Sequence, residues 1–206
     1  MSFFTDLFYS RAKENWKLLA HEIQGKFVDG GFWETNEVKF NYRNTEITLD
    51  IFSKGNGRSS KTYTRIICPY ITTNRFTFEI SSENAISYAA KYIGINDIEI
   101  GNTKFDAEIY LQSNQKKRLL TFLDTKYLQE KFLEAFEGTD LVLKINDDHP
   151  VFFLKKIPTK ILWIQIENIG IEEDIEILKS WFTLCKLTLD RLIEIGEAED
   201  IDPNIQ

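Results

Sequence analysis

Apolar residues along the chain follow two spacings, and the switches between them mark the elements. Phe8, Ala12, Trp16, Leu19 and Ile23 recur every three or four positions, which predicts a helix over 5–23 with Thr5 as its N-cap. Gly25 ends that run, and Gly30-Gly31 makes a second break before Phe32-Trp33. A two-residue period follows. Val38, Phe40 and Tyr42 alternate with polar residues, as do Ile47, Leu49 and Ile51, and the short Arg43-Asn44-Thr45 connection predicts a hairpin. Tyr63–Tyr70 and Arg75–Ser81 read as two further strands, with Pro69 near an end where its missing N–H does least harm. Ser82 is placed to cap a short helix over 83–92 that ends at Gly94.

Downstream, the turn Gly101–Asp106 is expected to hand over to a strand carrying Phe105, Ala107, Ile109 and Leu111. Residues 115–136 are helical in pattern, with Leu119, Leu120, Leu123, Leu128, Phe132, Leu133 and Phe136 apolar and a break at Asp124-Thr125. Strands follow at 140–146, 150–156 and 161–168, the first two joined by a turn at Asn146-Asp147-Asp148-His149. A long amphipathic helix over 172–196 carries Ile175, Leu178, Phe182, Cys185, Leu189 and Leu192, and 197–206 reads as a frayed acidic tail. The fold class is α+β: one domain over 1–206, predominantly antiparallel sheet with flanking helices. Residues 1–95 and 96–196 each run from helix to strands. Two similar halves therefore stay open, without a residue-level repeat to support them.

Composition adds the setting. With 43% apolar and 28% charged residues among 206, the chain can bury a sizeable core and keep a solvated surface. No stretch approaches the ~18 consecutive apolar residues of a membrane span. Met1–Asp6 has no basic segment of the secretory kind, and Cys68 and Cys185 lie alone inside apolar patterns, so a cytoplasmic setting is expected. The net charge of −7 is localised. Residues 171–206 hold 10 acids and 3 bases, whereas 22 of each balance over the preceding 170. An acidic terminal helix argues against nucleic acid as a partner and suits a basic protein partner reached through the C-terminal acids.

Gly101-x-x-x-Phe105-Asp106, a strand ending in Gln112-Ser113-Asn114, a leucine-bearing helix and then strand–turn–strand together resemble a bacterial family of unknown function. The likeness covers roughly 90–156, with further support from Trp16, Gly25 and Phe27. That family's stretch is Gly-x-x-x-Phe-Asp-x-x-Phe. Ile109 stands here at the last Phe, and Ala107-Glu108 follow Asp106 where basic residues are common. Many members are membrane-attached. The resemblance implies a fold neighbourhood and no reaction.

Candidate chemistry is sparse. Gly55–Thr62 follows the spacing of a phosphate-binding loop except for Ser60 at the second glycine. Such a loop must open a helix, because the helix N-terminus donates amides to phosphate. Tyr63–Pro69 is a poor helix, so the expectation is a basic hairpin loop. His21 and His149 lack metal-ligand spacing, Asp147-Asp148-His149 reads as turn chemistry, and there is no Gly-x-Ser-x-Gly elbow. Lys54, Arg58, Lys61 and Arg65 with Tyr63, and Lys116-Lys117-Arg118, make two small basic patches. Phe3, Phe4, Leu7 and Phe8 are expected to pack on the sheet and not on a membrane. Asp50, Arg65 and Asp106 are the polar residues to inspect, with an ion pair from Asp50 to Arg65 or Lys61 as the plain expectation. No metal or cofactor is expected. The reading is a non-enzymatic module binding a protein or small ligand. The alternatives are an acidic immunity-type protein that neutralises a basic toxin, and an enzyme with an unrecognised site.

Overall fold

The computed structural model describes residues 3–31, 35–55, 60–82, 85, 98–147 and 160–204, with side chains from residue 11 onward. The expected helix at 83–92, the strand at 150–156, His149 and the side chains of Phe3, Phe4, Leu7 and Phe8 lie outside them. Helix α1 spans Phe3–Glu22, so Thr5 lies inside it and is not its cap. It buries Ala12, Trp16, Leu19 and Ala20. Gln24 then takes a left-handed φ of 59°. Gly25 follows because a Cβ there would sit 2.6 Å from the Lys39 carbonyl oxygen.

Among the described residues nine strands form one sheet: β1 (Lys26–Val28), β2 (Glu37–Tyr42), β3 (Thr45–Lys54), β4 (Lys61–Thr72), β5 (Phe78–Ser82), β6 (Ile109–Ser113), β7 (Val142–Asn146), β8 (Ile161–Ile169) and β9 (Ala198–Glu199). The order is β1-β2-β3-β4-β8-β7-β5-β6, with β9 on the end of β4, and every pairing is antiparallel. The expected α+β class with a predominantly antiparallel sheet is what the chain adopts. The order interleaves residues 1–95 with 96–196, since β5 of the first stretch sits between β6 and β7 of the second. The β2–β3 turn is tight: Tyr42 faces Thr45, and Arg43 adopts φ 51°.

The Gly101 region differs from expectation. Thr103–Glu108 is a short helix, α2, capped by the Asn102 side chain accepting from Phe105 N, and the strand begins only at Ile109. An apolar alternation of two residues, Phe105 and Ala107, cannot distinguish one helical turn from a strand start. The break at Asp124-Thr125 is present, between α3 (Lys116–Phe122) and α4 (Lys126–Phe136). Arg191 secures it: its Nε donates to Phe122 O at 3.1 Å and its Nη2 to Thr121 O and Asp124 Oδ1, both at 2.6 Å. The Thr121 and Phe122 carbonyls are among those that the end of α3 leaves without intrahelical partners, and Asp124 adds a carboxylate.

Helix α5 (Ile175–Glu194) is capped by Asp174, whose carboxylate accepts from Glu176 N and Ile177 N. Leu178, Trp181, Phe182, Cys185, Leu189 and Leu192 are buried on its inner side, and the helix packs on α1, α4, β4 and β8. Residues 197–200 do not fray. Ala198 and Glu199 pair with Thr72 and Ile71, Glu197 is 4% exposed and bonded to Arg118, and Asp200 accepts from Arg43 at 2.8 Å. Composition marked the segment as polar tail because it could not show two arginines, Arg43 and Arg118, arriving from distant parts of the chain.

Candidate functional site

Strand alternation gives the sheet two faces of opposite character. Ile66 and Cys68 of β4, Leu162, Ile164 and Ile166 of β8, Leu143 and Ile145 of β7 and Ile80 of β5 face the helices and form the core. The intervening residues face the other way and are mostly polar. Register lines them up in two rows. Asp50, Arg65, Glu167, Val142, Ser81 and Tyr110 are successive cross-strand partners, as are Thr48, Ile67, Gln165, Lys144, Glu79 and Gln112.

Within these rows charges alternate and pair. Arg65 Nε and Nη2 donate to the two Asp50 oxygens at 2.9 and 2.5 Å, a fork-to-fork geometry. The guanidinium lies 4.3 Å from the Phe52 ring centre, and Phe52 stacks on Tyr63 at 5.2 Å. Lys144 Nζ donates to Glu167 Oε1 at 2.9 Å, and Gln165 Nε2 donates to Asn146 Oδ1 at 2.8 Å. Arg65, Gln165 and Glu167 are 5%, 4% and 7% exposed, so the centre of the ladder is buried. Charges so placed must pair, because an unpaired buried ion costs several kcal/mol.

The ladder leads to an open cavity of about 800 Å³ at the ends of β5, β6 and β7. Its described walls include Glu79, Gln112, Lys144 and Asn146 from the polar face, Asn114 and Lys116 from the start of α3, and Phe78, Ile98 and Ile145. Glu79 is half-buried. Burial, above all, pushes its carboxyl above the usual carboxylate range; Lys144 opposes this, Glu167 reinforces it and Lys54 opposes it. Lys54 acts on Glu79 although four pairings separate β3 from β5.

Of the residues singled out from the sequence, Asp50 and Arg65 come together in the ladder. Asp106 does not join them. Its carboxylate accepts from Ile100 N and Gly101 N, both at 2.9 Å, and so holds the turn where Gly101 takes φ 83°. Gly55–Thr62 connects β3 to β4, strand to antiparallel strand, which leaves no helix N-terminus for a phosphate. Arg65 leaves the expected basic patch for the ladder. Asp147 pairs with Arg75. Cys68 and Cys185 meet in the core, where burial first, and then the bond to Cys68, push the Cys185 thiol well up, a setting that disfavours the nucleophilic thiolate. Among the described residues, no group of three or more His, Cys, Asp or Glu is arranged to hold a metal. Glu79, Lys144, Gln165 and Glu167 were missed by motif reasoning. The signal was there as single polar residues between apolar ones: Phe78-Glu79-Ile80, Leu143-Lys144-Ile145 and Ile164-Gln165-Ile166-Glu167.

Compared with known proteins, no family model matches the chain, and no curated protein matches it in sequence. Among solved structures it resembles the mycobacterial trehalose monomycolate transport factor A, TtfA, with a TM-score of 0.52 at 10% identity, over 95% of this chain and 98% of that one. At that identity the likeness shows the fold alone. No helix among the described residues is long and apolar enough to cross a membrane.

Proposed function

We propose that the chain is a non-enzymatic binding module whose small polar ligand sits in the cavity at the end of the polar face. The observation that carries this is the cavity itself. At about 800 Å³ it falls in the range of small-molecule sites, and its polar groups stand on adjacent strands that fix their spacing. Lys144, Asn146 and Gln112 already hold defined partners or positions, so the wall is set before any ligand arrives. A transport factor of similar fold is in keeping with a carrier or binding role; it lends this chain no ligand. A cytoplasmic setting belongs to the same proposal, as does kinship with the family that Gly101, Phe105 and Asp106 bring to mind. The C-terminal acids serve a basic-toxin partner less well, since Glu194, Glu197 and Asp200 are engaged by Arg191, Arg118 and Arg43.

The test is a fragment screen read by amide chemical shifts in labelled protein. Ligands should perturb Gln112, Asn114 and Asn146 together, and Gln112→Trp, which fills the cavity, should abolish the response while leaving the melting temperature near that of the parent. Fragments that perturb only other surfaces would overturn the assignment.

A further inference from the structure

The charged ladder ends asymmetrically, and the asymmetry points to a ligand class. Read through the ion pairs and strand register, the charges run Asp50 (negative), Arg65 (positive), Glu167 (negative), Lys144 (positive) and Glu79 (negative). Every member but the last has an ion-pair partner. Lys144 stands in register with Glu79 but places its ammonium on Glu167. Gln112, the Glu79 neighbour on the other side, donates its amide to the Tyr110 hydroxyl at 3.0 Å. Among the described residues nothing donates a hydrogen bond to the Glu79 carboxylate, which faces the cavity. We infer that the cavity takes a ligand bearing a primary ammonium on an alkyl chain, with the ammonium held by Glu79 and the chain lying along the cavity. This rests on the cavity being the binding site proposed above.

The chemistry supports a cation over the alternatives. A neutral hydroxyl would leave the half-buried carboxylate with one weak bond and no charge compensation. An anion would face Glu79 directly and Glu167 behind it. Lys144, Lys54 and Glu167 are the charged groups that act on Glu79 from β7, β3 and β8, and burial still outweighs the two lysines. A ligand ammonium supplies both what the ladder's alternation lacks and hydrogen-bond donors at close range. Lys116 stands at the exposed rim, where water screens its repulsion.

Three probes of equal length separate the possibilities: n-butylamine, n-butanol and butyrate, titrated into the full chain and its Glu79→Gln variant with amide shifts at Gln112, Asn114 and Asn146 as readout. Butylamine should bind at least tenfold more tightly than butanol or butyrate. Glu79→Gln should reduce it to the level of butanol without lowering the melting temperature, because the substitution removes a charge that burial disfavours. Butylamine binding should also weaken as acid protonates Glu79. If butanol or butyrate binds as well as the amine, or Glu79→Gln leaves amine binding unchanged, the ammonium assignment is overturned while the cavity remains the site. If none of the probes, nor any fragment, moves those three residues, both readings fall together.

Discussion

At β4 and β8 both faces of the sheet are buried, and they are differently made. Ile66 and Arg65 are adjacent residues of β4, at 0% and 5% exposure, and Ile166 and Glu167 of β8 are at 0% and 7%. On the helix side, burial needs only matching volume, and non-directional contacts with Leu178, Phe182 and Leu189 of α5 supply it. On the other side each buried charge must meet a partner of opposite charge at bonding distance, which constrains the register of β3, β4, β8 and β7. A slip of one position would drive Ile66 into the ladder and Arg65 into the core. The apolar face contributes most of the driving force for collapse, while the polar face selects one alignment and leaves a charged residue over for a ligand.

The sharpest way to break the comparison is to damage each face once. Asp50→Ala leaves Arg65 buried without its fork partner and is expected to cost about 3–5 kcal/mol. Replacing the pair together, Asp50→Leu with Arg65→Met, should recover most of that loss, since paired desolvation and pairing energy largely cancel. Phe182→Ala on the helix side should cost a similar 3–5 kcal/mol through its cavity, with no second substitution able to cancel it by charge. Urea denaturation of the four proteins measures all three outcomes. A double variant as unstable as Asp50→Ala would show that the polar face contributes more than paired charge.

The helix-side face was legible in the sequence because aliphatic spacing records it directly. Trp16, Leu19, Leu178, Phe182 and Leu192 fall on the predicted helical stripes, and Ile47, Leu49 and Ile80 on the predicted strand faces. The polar face was only half legible. Asp50 and Arg65 stood out through their position beside a basic loop. Glu79, Lys144 and Glu167 looked like ordinary solvent-side residues, because alternation says that a residue points away from the core and not that it is buried there. Asp106 was conspicuous through its motif but acts locally, on two backbone amides. The order of strands, which brings β5 between β6 and β7, is a long-range outcome that no local pattern encodes.

A smaller effect tests the C-terminal strap, which pairs with the end of β4. Truncation after Gly196 removes the β9 pairing, the buried Glu197–Arg118 pair and the Asp200 bond to Arg43. The loss should be about 1–3 kcal/mol, chiefly because Arg118 and the edge of β4 lose partners. Differential scanning calorimetry of full and truncated chains should therefore show a melting point lower by several degrees. An unchanged melting point would mean that the strap rests on the sheet without holding it.

The smallest expected effect is the one most specific to the polar face. The Glu79 carboxyl is raised in the folded state, chiefly by burial, so the folded chain holds that proton more tightly than the unfolded chain does. Between the unfolded and folded pKa values the folded state binds more protons, and stability contributed by this group falls as pH rises. Below the unfolded value both states are protonated and the contribution is constant; above the folded value the full cost of burying the charge is present. Glu79→Gln removes this dependence. The melting temperatures of parent and variant, compared from pH 4 to 8, should differ least at the acid end and diverge in favour of the variant as pH rises. Phe182→Ala should show no such divergence, since the substitution removes apolar volume and no charge. Parallel curves for Glu79→Gln would mean that the carboxylate is solvated well enough to need no partner, and the two faces of the sheet would then differ in composition but not in what burial demands of them.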